Sequence, residues 1–380
     1  MPSPFRSRPV VDAPVERPDG VLPPAVVYCE NNFGTTDGKT ANGLVRHCER
    51  YRIIAVIDSA RAGADAGTVL GDPANGIPVV DGLDAALAVD DERPEWFVLG
   101  MAPLSGLLSS DERGAVLDAM SRGLSVMNGL HEFLNDDPEF AAAAVLGGVE
   151  IVDIRRPPDK VDLRMFSGRI GSVTCPRIAV LGTDGAIGKR TTSTRLVAAL
   201  EAAGLRAVLV GTGQTSLIQG AKYGVALDAI PAQFCAGEVE AAVVAAAEGE
   251  DPDVIVIEGQ GALSHPAYLT SAYILRGSQP QAVILQHAPR RHHLSDFPQL
   301  PTPTAASEIH LIETFAATQV IGLTINHEHM GIAEVEAAAV EYERDLGIPA
   351  TDALLMSPAR LVDMVLGAFP SLEGRIAAHA

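Results

Sequence analysis

The run Gly182-Thr-Asp-Gly-Ala-Ile-Gly188-Lys189-Arg190-Thr191-Thr192 carries the residue types that hold a phosphate. Glycines let successive backbone N–H groups turn toward one anion, a helix start adds its dipole, and Lys189 brings a positive charge. The spacing departs from the commonest phosphate loop twice: five residues separate Gly182 from Gly188, and Arg190 stands where a Ser or Thr normally follows the lysine. That missing hydroxyl is the usual Mg²⁺ ligand. Thr191 and Thr192 are offered further along the helix, but each step rotates a side chain by about 100°, so phosphate binding is better supported than phosphate hydrolysis. The candidate contacts are Gly182, Thr183, Asp184, Gly185, Gly188, Lys189, Arg190, Thr191 and Thr192, with Lys189 expected to be solvent-facing.

A second polar group follows the apolar run Asp253-Val-Ile-Val-Ile257 and reads Glu258-Gly-Gln260-Gly-Ala-Leu-Ser-His265-Pro266. A carboxylate at the end of such a strand sits where phosphate-loop proteins place the acid that faces a metal or a water, which makes Glu258 the first candidate acid. His265 is a candidate general base, since neutral imidazole is available near pH 7. Gly211-Thr-Gly213-Gln214-Thr215, after another apolar run, is expected beside the phosphate loop, with Gly213 and Gln214 as contacts. Gln286-His287 and Asn326-His327 close further strands on the same side. His292-His293 and His327-Glu-His329 invite a metal, but paired histidines need a third convergent ligand, so no metal site is assigned. Gly34-Thr-Thr-Asp-Gly38-Lys39-Thr40 looks like a second phosphate loop that is one residue short; it reads equally as an anion-binding turn or as a helix start capped by Thr40. Asp58 ends a strand where dinucleotide folds contact a ribose, yet G-x-G-x-x-G is absent, so a surface or helix-capping role is favoured. His131 and Glu132 lie after Ser125-Val-Met127, again at a sheet edge.

These groups need a scaffold that ends many strands on one face. Ala25-Val-Val-Tyr28, Arg52–Ile57 and Trp96–Leu99 read as strands alternating with helical stretches, as do Arg177–Leu181, Ala207–Val210, Asp253–Ile257, Ala282–Leu285 and Val320–Ile325. Alternation of this kind gives α/β doubly wound parallel sheets, and the length fits two such domains. The expected boundaries are a disordered tail over 1–23, a first domain over 24–152, a Pro- and Gly-bearing connector over 153–175, and a phosphate-loop domain over 176–380.

With 47% hydrophobic residues and 4% aromatics, the composition suits aliphatic parallel sheets covered by helices. A formal charge of −20 argues against nucleic-acid or anionic-membrane partners, leaving local basic groups to hold an anionic small molecule. Cys29, Cys48, Cys175 and Cys235 lie far apart, which favours free thiols in a reducing compartment over a zinc ribbon or redox dithiol. No signal peptide or apolar run of about 18 residues is visible, so a cytoplasmic protein is expected.

The phosphate loop, Gly211-Thr-Gly-Gln-Thr215, Phe234-Cys-Ala-Gly-Glu-Val-Glu240, Ile257-Glu-Gly-Gln-Gly261 with Ser264-His-Pro266, and Gly129-Leu-His-Glu-Phe-Leu134 together resemble the D-glutamate N-acetyltransferase family, over nearly everything after Pro24. The resemblance implies a Rossmann-like N-terminal domain and a P-loop NTPase-like C-terminal domain similar to dethiobiotin synthetase. It also implies acetyl-CoA as the acyl donor, D-glutamate or a related D-amino acid as acceptor, and a functional link to an amino-acid dehydrogenase. A homo-oligomer is expected. Under this resemblance the phosphate loop anchors the coenzyme, Glu258 or His265 takes a proton from the amine, and Arg190, Gln260 and His131 bind the amino acid. Gly185 stands where the family often has cysteine, so an acyl-cysteine is excluded at that point, and Ser216 stands where glycine is common. Two other readings stay open: an ATP- and Mg²⁺-dependent ligase or kinase, and a non-catalytic nucleotide or metabolite sensor.

Overall fold

The computed structural model describes residues 20–103 and 105–379, so the greater part of the expected tail, 1–19, lies outside the described residues. The chain divides into two compact units, the first containing 20–157 together with 214–221 and the second 158–213 with 222–379.

The first unit carries a sheet of β1 (Pro24–Tyr28), β2 (Arg52–Ile57), β3 (Val79–Val80), β4 (Trp96–Leu99), β5 (Ser125–Asn128) and β6 (Ile151–Asp153). Its order is β3-β2-β1-β4-β5-β6 and its pairs are parallel. That is the Rossmann order, in which the sequence reverses direction between β1 and β4 and loops gather at the carboxyl ends. Parallel neighbours require crossover connections, which helices such as Lys39–Arg46 and Ser110–Ser121 supply, the latter opened by a capping box of Ser109 and Glu112.

The second unit carries β7 (Arg177–Gly182), β8 (Ala207–Gly211), β9 (Tyr223–Gly224), β10 (Val254–Glu258), β11 (Ala282–His287), β12 (Gln319–Ile325) and β13 (Ala350–Thr351), in the order β13-β12-β11-β7-β10-β8-β9. All the pairs are parallel. Strand period and burial agree: Ala179, Leu181, Ile255, Ile257, Val283 and Leu285 enter one apolar cluster, while Ile178, Val180, Val254, Val256, Ala282 and Ile284 enter another on the opposite face. A central parallel sheet covered on both sides requires such continuous aliphatic runs. The helix Ala232–Glu250 contributes Cys235, Val239 and Val243 to one face, and Lys189–Ala202 contributes Leu196 and Leu200 to the other.

Two expectations change here. Residues 153–175 are not one connector, because Asp153 closes β6 and residues from 158 onward belong to the second unit. The reason is visible on the helix Ala232–Glu250, where an ideal Cβ on Gly237 would stand 2.1 Å from the Arg164 carbonyl oxygen. Glu238 accepts from the Arg164 N–H at 2.6 Å, and Glu240 accepts from the N–H groups of Ser167 and Ile170 at 2.7 and 3.1 Å. Phe234-Cys-Ala-Gly-Glu-Val-Glu240 is therefore a docking seam for the chain entering this unit. The helix expected to start at Thr40 runs over Lys39–Arg46, and Gly38, not Thr40, is its N-cap. The Thr40 hydroxyl instead meets the Thr215 hydroxyl at 3.0 Å.

Candidate functional site

The phosphate loop leaves β7, the fourth strand of seven, and enters the helix Lys189–Ala202. Gly182 must be glycine, since a Cβ there would lie 2.9 Å from the Gln286 carbonyl oxygen and from Ile187. Ala186 (φ 47°) and Gly188 (φ 96°) adopt left-handed backbone, the turn that faces consecutive amides inward. Among the described residues no hydrogen bond occupies the N–H groups of Ala186, Ile187 or Gly188, whereas Thr183 N–H goes to the Gln286 carbonyl at 3.1 Å.

Lys189 corrects the expectation of a solvent-facing charge. Its side chain is buried and its Nζ donates to the Asp184 carbonyl oxygen, folding back over the loop it would serve. Asp184 is fully buried and holds the loop together: Oδ1 accepts from Gly185 N–H at 2.7 Å, and Oδ2 accepts from Arg291 Nη1 at 3.1 Å and Ser295 N–H at 3.0 Å. Arg291 also donates to the Gly185 carbonyl at 2.8 Å and to Glu328 at 2.7 Å. Asp184 therefore shapes the cradle through its carboxylate; it does not present that carboxylate to a ligand.

Thr192, a candidate contact, turns inward. Its hydroxyl donates to Gln286 Oε1 at 2.5 Å, and the same oxygen accepts from the Thr324 hydroxyl at 2.6 Å. This buried network joins the first helical turn to β11 and β12. Thr191 and Arg190 are partly buried at the helix start.

Beside the loop, Glu258 is the last residue of β10. Its Oε2 accepts from Thr212 N–H at 3.1 Å, and its carbonyl accepts from the Thr212 hydroxyl at 3.0 Å. Gly259 must lack a Cβ, which would stand 2.2 Å from the Val180 carbonyl oxygen, and Gln260 Nε2 donates to the Thr212 carbonyl. Gly213 lies against Gln260, its ideal Cβ 3.7 Å from the Gln260 amide nitrogen. The structure thus brings Gly213, Glu258 and Gln260 together. Gln214 opens the helix Gln214–Gln219 and belongs to the first unit, where Gln219 Nε2 donates to the Gly43 and His47 carbonyls at 2.7 and 2.6 Å.

His265 is buried and stacks on Tyr268, with ring centroids 4.4 Å apart. Its Nδ1 accepts from the N–H groups of Ala267 and Tyr268 at 3.2 and 3.3 Å. Burial, with Lys189 adding to it, holds the ring below the usual histidine range despite Asp184 and Asp296, so the ring is neutral near pH 7. An accepting Nδ1 leaves the proton on Nε2, which makes His265 a hydrogen-bond donor. That corrects its reading as a general base. Sequence reasoning missed Glu308, whose carboxylate accepts from Leu263 N–H, Ser264 N–H and the Ser264 hydroxyl and so fixes this loop. Burial raises the Glu308 carboxyl above its usual range.

His131 belongs to the first unit, at the end of β5, with its N–H on the Gly106 carbonyl at 3.0 Å. Burial, then Arg155 and Lys39, lower its pKa. His287 lies inside β11 with its Nδ1 2.9 Å from the Thr183 hydroxyl, and burial drives it down to about 4. Among the described residues no group of three His, Cys, Asp or Glu side chains is placed to hold a metal. None of the described helices is long and apolar enough to cross a membrane.

Fold and site together define an α/β protein in which a Rossmann-like unit accompanies a P-loop unit. Residues 59–157 match the Rossmann-like N-terminal domain and residues 164–362 the P-loop C-terminal domain of DUF1611, each described as a domain of unknown function. The chain belongs to the DUF1611 family. A crystal structure of a DUF1611 protein from Anabaena variabilis superposes with a TM-score of 0.83 at 32% identity, covering 91% of this chain and 99% of that one. A protein named D-glutamate N-acetyltransferase from Tritonibacter scottomollicae is 32% identical over 274 residues, 70% of this chain and 79% of that one. A protein of the same name from Pseudoalteromonas sp is 29% identical over 289 residues, 74% of this chain and 84% of that one.

Proposed function

We propose that this protein is an N-acetyltransferase that moves the acetyl group of acetyl-CoA to the amino group of D-glutamate or a related D-amino acid. The names of the two bacterial relatives support the activity. One observation in the chain carries the choice of coenzyme: the amides of Ala186, Ile187 and Gly188 meet no acceptor among the described residues, but Arg190 stands at the position of the Mg²⁺-ligating hydroxyl and the hydroxyl of Thr192 is committed to Gln286. Such a loop suits a pyrophosphate or phosphate that is held and not split.

CoA supplies a thioester that activates the acetyl group and phosphates that anchor it. Residues 186–188 and Lys189 hold those phosphates, with Lys189 exchanging the Asp184 carbonyl for the ligand. Arg190 pairs with a carboxylate of the amino acid, which a bidentate guanidinium recognises well. His265, protonated on Nε2, donates a hydrogen bond and so stabilises developing negative charge on an acyl oxygen. Glu258 braces the neighbouring strand end through Thr212. The cysteines Cys29, Cys48, Cys175 and Cys235 are all free, as fits a reducing cytoplasm.

The experiment mixes purified protein with acetyl-CoA and D-glutamate, without added metal, and reads the N-acetyl product by mass spectrometry and the thiol released. Product formation supports the reading. Absence of product, with phosphate released from Mg-ATP in a parallel reaction, replaces it by the ligase or kinase alternative. Tight binding of CoA with no turnover over a panel of amino acids replaces it by a sensor.

A further inference from the structure

We propose that Gln286 is a ligand-binding residue, whose side-chain amide donates a hydrogen bond to the phosphate oxyanion seated on the amides of Ala186, Ile187 and Gly188. The inference deepens the reading of that loop as a cradle for the phosphates of CoA and rests on it. Gln286 lies near the end of β11, between β7 and β12, and pairs with Gly182 on one side and Thr324 on the other. Its carbonyl oxygen accepts from Thr183 N–H at 3.1 Å, where the loop begins. Its side chain reaches the far end of the same loop.

Gln286 is only 3% exposed, so each half of its amide needs a partner. Oε1 meets two hydroxyls, Thr192 at 2.5 Å and Thr324 at 2.6 Å. Those lengths belong to O–H···O bonds and fall short of the roughly 2.7 Å at which N–H···O bonds begin, so the oxygen faces the two threonines. The amide is thereby locked with Nε2 turned the other way. Among the described residues no hydrogen bond engages that nitrogen.

What Nε2 faces is the last glycine of the loop. An ideal Cβ on Gly188 would stand 3.8 Å from Gln286 Nε2 and 3.5 Å from Asn326 Nδ2. Asn326 is oriented in the same sense, with Oδ1 accepting from Glu328 N–H and Nδ2 donating to the Ile187 carbonyl, both at 2.8 Å. Two side-chain amides thus bring nitrogen to the point where the loop becomes the helix Lys189–Ala202. The Gly188 N–H meets no acceptor among the described residues, and the helix start adds positive potential there. An oxyanion bonded to the Gly188 N–H therefore meets Nε2 as a second donor.

The polarity of this wall selects the ligand. An amide N–H stabilises an ionised phosphate oxygen and offers nothing to a hydrated Mg²⁺, which binds through oxygen. The group that fits is a phosphate bare of metal. In CoA both the pyrophosphate and the 3′-phosphate have that chemistry.

Calorimetric titration of the full chain in EDTA with CoA and with dephospho-CoA tests the assignment. Gln286→Glu keeps an oxygen for both threonine hydroxyls and turns a second oxygen toward the loop. CoA affinity should fall at least about 10-fold, the least expected for a lost hydrogen bond to a charged group. A residue that only braced Thr192 and Thr324 would lose no affinity in this variant. An equal loss for both ligands assigns Gln286 to the pyrophosphate, and a loss for CoA alone assigns it to the 3′-phosphate. A crystal structure of the wild type with CoA needs no variant, and it should place the Gln286 amide within about 3.2 Å of a phosphate oxygen. If Gln286→Glu fails to fold, that structure decides alone. CoA affinity within threefold of wild type in the folded variant, or an amide beyond hydrogen-bonding reach of every phosphate oxygen, overturns the proposal. A wild type that binds no CoA sinks the cradle reading and this inference with it, whereas equal binding by wild type and variant sinks the inference alone.

Discussion

Two glycine-bearing loops of this chain look alike in sequence and differ in what fills them. In the first unit, the loop after β1 is satisfied from inside: Asp58 at the end of β2 accepts from Asn31 and Phe33 N–H at 3.2 and 3.0 Å, and Asn42 accepts from Gly34 N–H at 3.0 Å. In the second unit, Asp184 braces the loop from behind, and the amides of Ala186, Ile187 and Gly188 meet no acceptor among the described residues. The same backbone device is a closed structural turn in one place and a candidate anion cradle in the other. The source of the nearest carboxylate decides which.

The sharpest way to break this contrast is Asp58→Ala. It strips the acceptor from the amides of Asn31, Phe33 and also Ala60, so unfolding in urea should show a loss of roughly 3 to 9 kcal/mol at about 1 to 3 per orphaned group. A loss under about 1 kcal/mol would mean that water replaces the carboxylate and the first loop is open after all.

Lys189→Ala probes the other loop. CoA affinity should fall about 100-fold, close to 3 kcal/mol, while the ligand-free fold changes by less than about 2 kcal/mol. Comparable stability loss without ligand would make Lys189 a strut and not a binding group.

The next effect depends on pH. His287, beside Thr183, has its pKa lowered by burial to about 4. Its ordinary value is about 6.5, so the unfolded chain takes up the proton first, and stability present above pH 6.5 is lost as pH falls toward 4. Between pH 7.5 and 5 the loss should be about 2 kcal/mol in the wild type and nearly absent for this group in His287→Gln. Equal pH slopes for both proteins in thermal unfolding would remove His287 from the account.

The smallest effect is expected from Thr192→Val. With its hydroxyl on Gln286, the substitution should cost about 1 kcal/mol of stability and leave CoA affinity in EDTA within about twofold. A large affinity loss would return Thr192 to the ligand.

Both sheets were legible because short aliphatic runs mark buried parallel strands, and Trp96–Leu99 occurs as the sequence pattern implies. The candidate site was legible where chemistry is local, as in Gly182–Lys189 and Glu258–His265. It was hidden where partners come from far along the chain. Nothing near Asp184 announces Arg291, and nothing near His265 shows that two amides fix its tautomer. The buried Lys189 was misread because a lysine in a loop is solvated by default, and only the fold supplies the Asp184 carbonyl that holds it.

On the proposed function, the loop at 182–189 holds the phosphates of CoA without a metal. Calorimetric titration of the whole protein with CoA in EDTA, repeated with excess Mg²⁺ and with Mg-ATP, tests it directly. Saturable CoA binding with the same affinity in EDTA and in Mg²⁺ is expected. Binding of ATP that requires Mg²⁺, with no heat from CoA under either condition, would contradict it.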